Sequence, residues 1–238
     1  MSETRAPSPQ IKQRPVRSFV RREGRATAAQ KQAMQTLWPV FGFEPGPGAD
    51  AELDYQVLFG RDAPLVLEIG YGDGEALVDA AETDSGINFI GAEVYSPGIG
   101  HCLIRIKQKG LANVRLCQVD AVELLNRNIA DATLSEIRLF FPDPWPKKKH
   151  YKRRIVNDTF TRLITRKLKP GGRIHFATDW APYAEWAMDV FEACPELENV
   201  AGKRQFTPRP ASRTQTKFER RGQRLGQASQ DLIYRTIP

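Results

Sequence analysis

Apolar runs that alternate with segments of helical length constrain the fold more than any other feature of this sequence. Such runs are typical of strands that are buried on both faces of a parallel sheet. They predict strands over residues 65–69, 88–94, 114–119, 136–141 and 173–177. The segments between and after them predict helices over residues 75–81, 97–109, 121–128, 155–168 and 181–193. The sequence therefore indicates an α/β fold in which right-handed crossovers place helices on both faces of the sheet.

The two ends of the chain depart from this rhythm. Residues 1–25 combine Pro, Ser and Arg with few large apolar side chains, so we predict a disordered basic arm. Near the other end, residues 231–237 resemble a strand and are expected to join the sheet as an edge or antiparallel member. We therefore expect one domain over residues 26–238, with a basic insertion at about 202–224.

Two helices are predicted ahead of the first strand. Thr27 can cap a helix over residues 28–37, which the Trp38-Pro39 pair would end. Asp50 can cap a shorter helix that ends at Phe59.

The net charge of +7 is unevenly distributed along the chain. Residues 1–31, 140–154 and 202–224 carry net charges of +6, +5 and +7, so the rest of the chain carries −11. Because ordinary solubilising charge intersperses both signs, this separation indicates a polyanionic partner. The alternative is that the three patches are solvated tails and loops.

Composition argues against several classes of protein. The three cysteines are widely spaced and form no C-x-x-C pair, so we expect reduced, buried thiols and no metal site. No apolar run approaches the roughly 20 residues that span a membrane, and the N-terminus lacks the apolar region of a secretory signal. We therefore expect a cytoplasmic protein, with a mitochondrial-type leader as the alternative for the basic arm.

A glycine-rich turn follows the first predicted strand. It reads E-I-G-Y-G-D-G over residues 68–74, with glycines at positions 70, 72 and 74. Alternate glycines let the backbone turn sharply and let a ligand approach the start of the next helix. The spacing differs from the G-x-G-x-x-G of dinucleotide sites, which favours a ligand without a pyrophosphate. A purely structural turn is the alternative.

Two acids follow the next two predicted strands. Ligands bind outside the carboxyl ends of the strands in a doubly wound sheet, so both acids are expected near the glycine turn. Glu93 is placed to accept hydrogen bonds from the hydroxyls of a ribose, and Asp120 to accept one from the exocyclic amine of an adenine. Taken singly, each is more simply a helix cap or an exposed carboxylate. Together with the glycine turn they indicate an adenosine pocket.

Residues 140–154, here called the ledge, read F-F-P-D-P-W-P-K-K-K-H-Y-K-R-R. A residue that precedes proline is disfavoured in helical geometry, so we expect a stiff, helix-free segment with extended backbone at Phe141, Asp143 and Trp145. The ledge places one carboxylate, Asp143, beside a cluster of cations. Trp145 can either stack on a base or anchor the ledge in the body of the protein.

These motifs resemble the bacterial tRNA (guanine-N7-)-methyltransferase family, within the class I S-adenosylmethionine-dependent methyltransferases. The resemblance rests on G-Y-G-D-G, A-E-V-Y-S-P-G-I-G, R-L-F-F-P-D-P-W-P-K-K-K-H-Y-K-R-R, T-D-W at 178–180 and T-K-F-E at 216–219, and it covers roughly residues 40–238. It implies a Rossmann-like, mostly parallel seven-stranded sheet with the last strand antiparallel. It also implies methyl transfer from S-adenosylmethionine to N7 of the variable-loop guanine, tRNA position 46, with S-adenosylhomocysteine as product and no metal.

The resemblance also implies roles for individual residues. The cofactor would contact four acids together with the glycines of the turn, and Asp143 would also be the catalytic residue: Glu68, Gly70, Gly72, Gly74, Glu93, Asp120 and Asp143. The tRNA would contact two groups of residues: Lys147, Asp179, Thr216, Lys217, Phe218 and Glu219, and the run Lys149, His150, Tyr151, Lys152, Arg153 and Arg154. No obligatory protein partner is implied, and the protein would be a monomer or homodimer.

The chemistry of guanine N7 indicates what Asp143 can do. N7 carries a lone pair and no proton, so its attack on a sulfonium methyl needs no general base. Methylation leaves the ring positive, and a carboxylate beside the ring can stabilise that charge and orient the base. Lys147 should contact phosphate or O6 only, because the usual lysine contact with O6 and N7 together would occupy the nucleophile. Asp179 follows the fifth strand, and a helix cap is its alternative role.

Three other functions are compatible with parts of the sequence. Methylation of an exocyclic amine uses an acid-or-amide–Pro–Pro–aromatic segment after the same strand, whereas here Trp145 follows Asp143-Pro144 directly. A non-catalytic RNA-binding protein on this fold would be expected to have lost its cofactor acids, which are all present. A nucleotide-dependent oxidoreductase is disfavoured by the spacing of the glycines.

Overall fold

The computed structural model describes residues 18–19, 24–46, 51–224, 226 and 228–237. Most of the predicted basic arm and Asp50 lie outside this part of the chain. The described residues contain seven strands: β1 (Leu65–Ile69), β2 (Asn88–Ala92), β3 (Val114–Cys117), β4 (Leu134–Phe140), β5 (Leu168–Thr178), β6 (Leu197–Asn199) and β7 (Gln230–Thr236).

The α-helices in the same part of the chain are α1 (Ala28–Thr36), α2 (Trp38–Phe41), α3 (Tyr55–Phe59), α4 (Glu75–Thr83), α5 (Ser96–Lys109), α6 (Ala121–Arg127), α7 (Asp158–Lys167), α8 (Ala181–Glu192) and α9 (Lys217–Arg224). A short 3-10 helix spans Lys148–Arg153. No helix among the described residues combines the length and apolarity needed to cross a membrane.

The strands form one sheet in the order β3-β2-β1-β4-β5-β7-β6. Strands β1 to β5 pair in parallel, and β7 is antiparallel to both of its neighbours, β5 and β6. This arrangement confirms the predicted mostly parallel seven-stranded sheet and its antiparallel last strand. It also places the carboxyl ends of the five parallel strands along one edge, where the predicted site residues follow them.

Buried side chains on both faces explain why the strands read as continuous apolar runs. Every residue of β1 and of β2 is buried. On one face, Leu77 and Leu103 of α4 and α5 pack against Val66 of β1. On the other face, the helices α6, α7 and α8 pack against a second cluster that includes Leu67.

The helices ahead of β1 depart in part from expectation. Thr27 caps α1 as predicted, through a reciprocal pair of hydrogen bonds with Gln30. The helix that ends at Phe59 is shorter than predicted, because Asp54 supplies its cap by accepting from the Val57 N–H at 3.0 Å.

Two elements late in the chain were not predicted. Residues 203–224 contain the helix α9, which the weak apolar periodicity of this stretch did not indicate. The three-residue strand β6 pairs with β7.

The predicted helix over 155–168 begins later, at Asp158, because Asn157 accepts from the Phe160 N–H and caps it.

The close approach of α4 and α5 yields a test of packing. A Cβ at Gly74 would lie 2.3 Å from the Cys102 Sγ, and the φ of Gly74 is +78°. We expect Gly74→Ala to lower the free energy of unfolding by about 2–4 kcal/mol, from left-handed backbone strain and overpacking together. Gly110 has a φ of +63° with nothing within 4 Å, so Gly110→Ala should lose only the backbone part, about 1–2 kcal/mol. Equal losses in urea titrations would contradict the packing argument.

Candidate active site

The glycine turn leaves the carboxyl end of β1 in the conformation that its glycines permit. Gly70, Gly72 and Gly74 have φ values of +69°, +58° and +78°, all in the left-handed region. A side chain at any of these positions would strain the backbone. The sharp turn predicted from the alternate glycines is therefore present, and it leads directly into α4.

Glu93 ties the end of β2 to this turn. Its Oε2 accepts from the Gly72 N–H at 2.9 Å, and its Oε1 accepts from the N–H groups of Val94 and Tyr95 at 2.6 and 3.0 Å. Burial raises the pKa of Glu93, and these three hydrogen bonds act in the opposite direction. A carboxylate has about four acceptor positions, so one remains for a ligand hydroxyl. The ribose contact of Glu93 stays a prediction, and the backbone contacts explain how the carboxylate would be oriented for it.

A cavity of about 450 Å³ opens between the carboxyl ends of β1 to β4. Its lining combines apolar side chains with carboxylates: Ser18, Phe19, Ile69, Gly70, Ala92, Glu93, Val94, Tyr95, Val119, Asp120, Ala121, Leu139, Phe140, Phe141, Pro142, Asp143 and Ile155. Asp120 lines it and also caps α6, where its Oδ1 accepts from the Val122 N–H at 2.9 Å. The cap role of Asp120 and a ligand contact are thus compatible, because its second oxygen is not used by the cap.

Glu68 lies behind the turn. It is only 2% exposed, and its Oε2 has no hydrogen-bond partner among the described residues. Burial raises the pKa of Glu68 to about 7. Arg138, which pairs with Glu68 from the neighbouring strand β4, lowers this pKa, and Glu136 raises it. A buried carboxyl oxygen without a partner fits a cationic or hydrogen-donating ligand group, so the predicted cofactor contact of Glu68 remains open to test.

The ledge begins with a strained backbone and not with the extended one expected from its prolines. Phe141 and Trp145 have φ values of +51° and +45°. Non-glycine residues in this region cost on the order of 1–3 kcal/mol each and concentrate at functional sites. The Phe141 N–H donates to the carbonyl of Ala177 at 2.8 Å, which fixes the turn against β5. Asp143, between the two strained residues, is exposed and lines the cavity.

The second half of the ledge is not helix-free as predicted, because it forms the 3-10 helix Lys148–Arg153. Trp145 packs against this helix: the Arg153 guanidinium lies 3.9 Å from its ring centroid. The indole N–H donates to the Ser18 carbonyl at 3.0 Å. These contacts join Trp145 to the ledge itself and to Ser18, so both alternatives for Trp145, stacking on a base and anchoring the ledge in the body of the protein, stay predictions.

Arg154 differs most from its expected role in the RNA-binding run. Its side chain is buried, with the whole residue 2% exposed, and its Nε donates to the Pro144 carbonyl at 2.9 Å. The guanidinium packs over the rings of Tyr151 and Tyr183, at 3.8 and 4.9 Å. One of its terminal nitrogens, Nη2, has no hydrogen-bond partner among the described residues, and Arg154 lines a groove between α6 and α7. Its place in the RNA-binding run therefore stays a prediction, beside its contacts within the ledge.

The remaining cations of the ledge fit their expected role better. Lys147, Lys149 and Lys152 are exposed, and His150 and Arg153 are partly buried. Burial and the neighbouring cations, first Lys149 and then Arg153, hold the pKa of His150 below its ordinary value. The positive charge available to a polyanion therefore comes from the lysines and from Arg153.

Arg213 joins residues 203–224 to the sheet. Its guanidinium donates to both oxygens of Glu219, at 2.8 and 3.0 Å, and to both oxygens of Asp231 on β7, at 2.7 and 2.9 Å. All three side chains are about 1% exposed. The guanidinium also lies 5.8 and 5.6 Å from the rings of Phe140 and Phe141, at the start of the ledge.

This cluster bears directly on the predicted substrate contact of Glu219. Both oxygens of Glu219 are engaged with Arg213, and Ser229 donates to one of them at 2.6 Å. A contact between Glu219 and guanine remains a prediction that requires the carboxylate to leave Arg213.

The start of α9 is bound to the glycine turn. The Lys217 Nζ lies 2.6 Å from the Asp73 Oδ2, and its backbone N–H donates to Glu75 at 2.9 Å. Arg220 donates to the other Glu75 oxygen at 2.8 Å. Burial alone would raise the pKa of Asp73, but Lys217 holds it below its ordinary value. The sequence analysis did not identify Asp73 or Glu75, since only the fold brings them to residues about 140 positions away.

Asp179 and Thr216 both lie next to α9. The cap residue of α8 is Trp180 and no side chain caps that helix, so the helix-cap alternative for Asp179 is wrong. A Cβ on Gly222 of α9 would lie 3.0 Å from the Asp179 Oδ2, which places this carboxylate against α9. Thr216 is buried and its hydroxyl accepts from the Glu219 N–H at 3.3 Å. For Phe218 only the backbone position, on α9, is described.

The order of the strands and the antiparallel last strand are those of the class I methyltransferase fold. Among solved structures, the 16S rRNA methyltransferase KamB superposes with a TM-score of 0.56 at 14% identity, covering 84% of this chain and 99% of KamB. That likeness shows the fold alone.

Sequence comparison identifies the family. The family model described as "Putative methyltransferase" matches residues 62–232. The tRNA (guanine-N(7)-)-methyltransferase of Halorhodospira halophila is 52% identical, over 94% of this chain and 96% of the relative. The enzyme of the same name from Alkalilimnicola ehrlichii is 53% identical, over 93% of each chain. This chain belongs to the tRNA (guanine-N(7)-)-methyltransferase family.

The raised pKa of Glu68 predicts a pH-dependent stability. A carboxyl whose pKa is higher in the folded state contributes stability that is complete below its unfolded pKa and is lost as the pH rises through about 7. Glu68→Gln, which stays neutral, should therefore gain about 1–3 kcal/mol relative to the wild type between pH 5 and pH 8. Urea unfolding at both pH values measures this gain. Exposed Glu52→Gln is the control and should show no such change; a pH-independent difference for Glu68→Gln would contradict the assignment.

The Arg213 cluster predicts a large loss of stability on truncation. Arg213→Gln leaves Glu219 and Asp231 buried without their cation, which should lower the free energy of unfolding by about 3–5 kcal/mol. Arg204, in the same basic stretch, makes an exposed ion pair with Asp189 at 2.7 Å. Arg204→Gln should therefore leave the free energy of unfolding close to the wild-type value, because exposed ion pairs contribute little. Similar losses for the two variants in urea titrations would show that the cluster contributes no more than a surface pair.

Proposed function

We propose that this protein transfers the methyl group of S-adenosylmethionine to N7 of a guanine in tRNA, with S-adenosylhomocysteine as the other product. The observation that carries the proposal is the position of Asp143, an exposed carboxylate at the rim of the cavity that Glu93 and Asp120 also line. Family membership supports the same reaction, since the relatives are named for it.

The residues of the cavity fit an adenosine-containing cofactor. Glu93 would accept from a ribose hydroxyl at its remaining acceptor position and Asp120 from the adenine amine, while the apolar lining receives the base. Gly70, the glycine of the turn that lines the cavity, has a φ of +69°, a conformation that disfavours any side chain at this position. When bound, S-adenosylmethionine supplies an electrophilic methyl group on a sulfonium centre. Glu68, with an unpaired buried oxygen, is the fourth acid in this proposal.

Catalysis would consist of positioning and charge stabilisation. The N7 lone pair forms the new bond to the methyl carbon, the electrons of the broken carbon–sulfur bond stay on sulfur, and no proton is transferred. Orientation of the reactants alone supplies up to about 7–11 kcal/mol in well-ordered systems. Asp143 would accept from the N1–H and N2–H₂ edge of guanine and stabilise the positive charge that develops on the ring. The strained backbone on either side of Asp143 fixes its direction in advance.

The tRNA would lie over the ledge and α9. Lys147, Lys149 and Lys152 would neutralise phosphates, with Lys147 leaving N7 free. Asp179 and the residues 216–219 lie on the adjoining strand end and helix, where the substrate would contact them. We further propose the variable-loop guanine at position 46 as the target, a cytoplasmic location, no metal, and a monomer or homodimer without an obligatory protein partner.

The reaction is tested by incubating bulk unmodified tRNA with labelled S-adenosylmethionine. We expect label at a single guanine of the tRNA. Chemical cleavage of the tRNA that is specific for N7-methylguanosine should map to the same guanine. Nucleoside mass spectrometry of the product separates N7-methylguanosine from methylation on an exocyclic amine. Label on an amine, or no transfer to tRNA, would refute the proposed function.

The role of Asp143 is tested by Asp143→Asn. Loss of the carboxylate charge should lower the single-turnover rate with saturating cofactor about 10²–10³-fold, as for other groups that stabilise a developing charge. Because no proton is transferred, the wild-type rate should show no base-like pH dependence between pH 6 and 8. Asp62→Asn changes an exposed aspartate outside the cavity and should keep the wild-type rate. A near-wild-type rate for Asp143→Asn would remove Asp143 from catalysis.

A further inference from the structure

A second cavity, a groove of about 1010 Å³, lies between α6 and α7. Five residues line both this groove and the cavity assigned to the cofactor: Ser18, Phe19, Val119, Asp120 and Ile155. The two cavities are therefore adjacent and share a wall. A chain whose reacting base lies at the cofactor cavity can continue into the groove without leaving the protein surface.

One wall of the groove is basic. Lys152 and Arg153 of the 3-10 helix and Arg162 and Arg166 of α7 line it. Arg162 and Arg166 are four residues apart and so project from the same face of α7. Arg162 is exposed, and its charge helps to hold the pKa of Glu196 below its ordinary value. Arg166 makes an exposed ion pair with Asp131 at 3.3 Å, which contributes little and is readily exchanged for another anion.

The opposite wall offers hydrogen-bond acceptors. Glu123 and Asn126 of α6 line it and are exposed. The Asn126 amide donates to the Val122 carbonyl at 2.8 Å, which leaves its own oxygen to accept. Asp158, on the basic side, lies at the first position of α7, where the helix dipole compensates part of its charge. The groove thus has cations on one side and acceptors on the other.

We propose that this groove holds the tRNA strand next to the methylated guanine; the proposal rests on the function proposed above. Phosphates lie along Lys152, Arg162 and Arg166, and a base edge donates its amino group to Glu123. Only an unpaired strand presents its phosphates to one wall and its base edges to the other, so the groove fits single-stranded RNA and excludes a duplex. The tRNA strand is favoured over an acidic peptide because the groove shares a wall with the cavity proposed for methyl transfer.

The first test compares Arg162→Ala and Arg166→Ala with Lys107→Ala, which removes an exposed cation from α5 on the other face of the sheet. We expect each arginine variant to weaken tRNA binding about fivefold and to make the slope of log K against log salt shallower by about 0.7. Affinity for S-adenosylmethionine should stay at the wild-type value, because neither arginine lines the cavity assigned to the cofactor. Lys107→Ala should match the wild type throughout. Arginine variants that match Lys107→Ala would overturn the proposal.

The second test uses Glu123→Ala to separate contact from general electrostatics. If the groove attracts RNA by its net charge alone, removing an acid from it should strengthen RNA binding. If Glu123 accepts from a base, the variant should instead bind tRNA more weakly with an unchanged salt slope, since no phosphate contact is lost. Stronger binding by Glu123→Ala would refute the placement of a base on this wall.

The two proposals fail in different ways. If the wild-type protein transfers no label to tRNA, the proposed function is wrong whatever the groove variants do. If the wild type methylates guanine N7 and the arginine variants retain its affinity and salt slope, only the groove assignment is wrong.

Discussion

The buried ion-pair cluster around Arg213 is the interaction on which the candidate site depends. It joins Glu219 of the late basic stretch to Asp231 of β7, and Asp231 in turn contacts His175 of β5 at 2.7 Å. Burying a guanidinium is unfavourable unless its donors are satisfied, and here two carboxylates satisfy them. Since the same guanidinium packs against Phe140 and Phe141, the cluster connects β7 to the start of the ledge that carries Asp143.

From this anchor the late basic stretch crosses the site and reaches the glycine turn. Lys217 and Arg220 contact Asp73 and Glu75 there, so residues from the first and last thirds of the chain form one surface. The turn is also held from the other side by Glu93, whose carboxylate bonds to its backbone. The cavity at the carboxyl ends of β1 to β4 is therefore shaped by contacts within the protein before any ligand enters, which lowers the conformational entropy that binding would lose.

Much of this architecture follows from the sequence because local signals determine it. Apolar runs indicate buried parallel strands, and parallel strands necessarily align their carboxyl ends, so Glu93, Asp120 and Asp143 were expected near one another. The burial of the Arg154 and Glu219 side chains could not be predicted from local signals. The sequence predicts that a charged residue is exposed unless its buried partner is known. The partners of Arg154 are the rings of Tyr151 and Tyr183, and the partner of Glu219 is Arg213. The left-handed backbone at Phe141 and Trp145 also depends on tertiary contacts, which override the extended preference before proline.

The ion pairs between α9 and the glycine turn affect how the enzyme should be studied. Lys217 and Arg220 are about half exposed, so dissolved ions screen their attraction to Asp73 and Glu75. Ionic strength therefore acts on the enzyme as well as on its complex with RNA. A decline of activity with added salt therefore reports both the binding of RNA and the contact of α9 with the glycine turn. A buffer chosen to suppress non-specific RNA binding also weakens that contact.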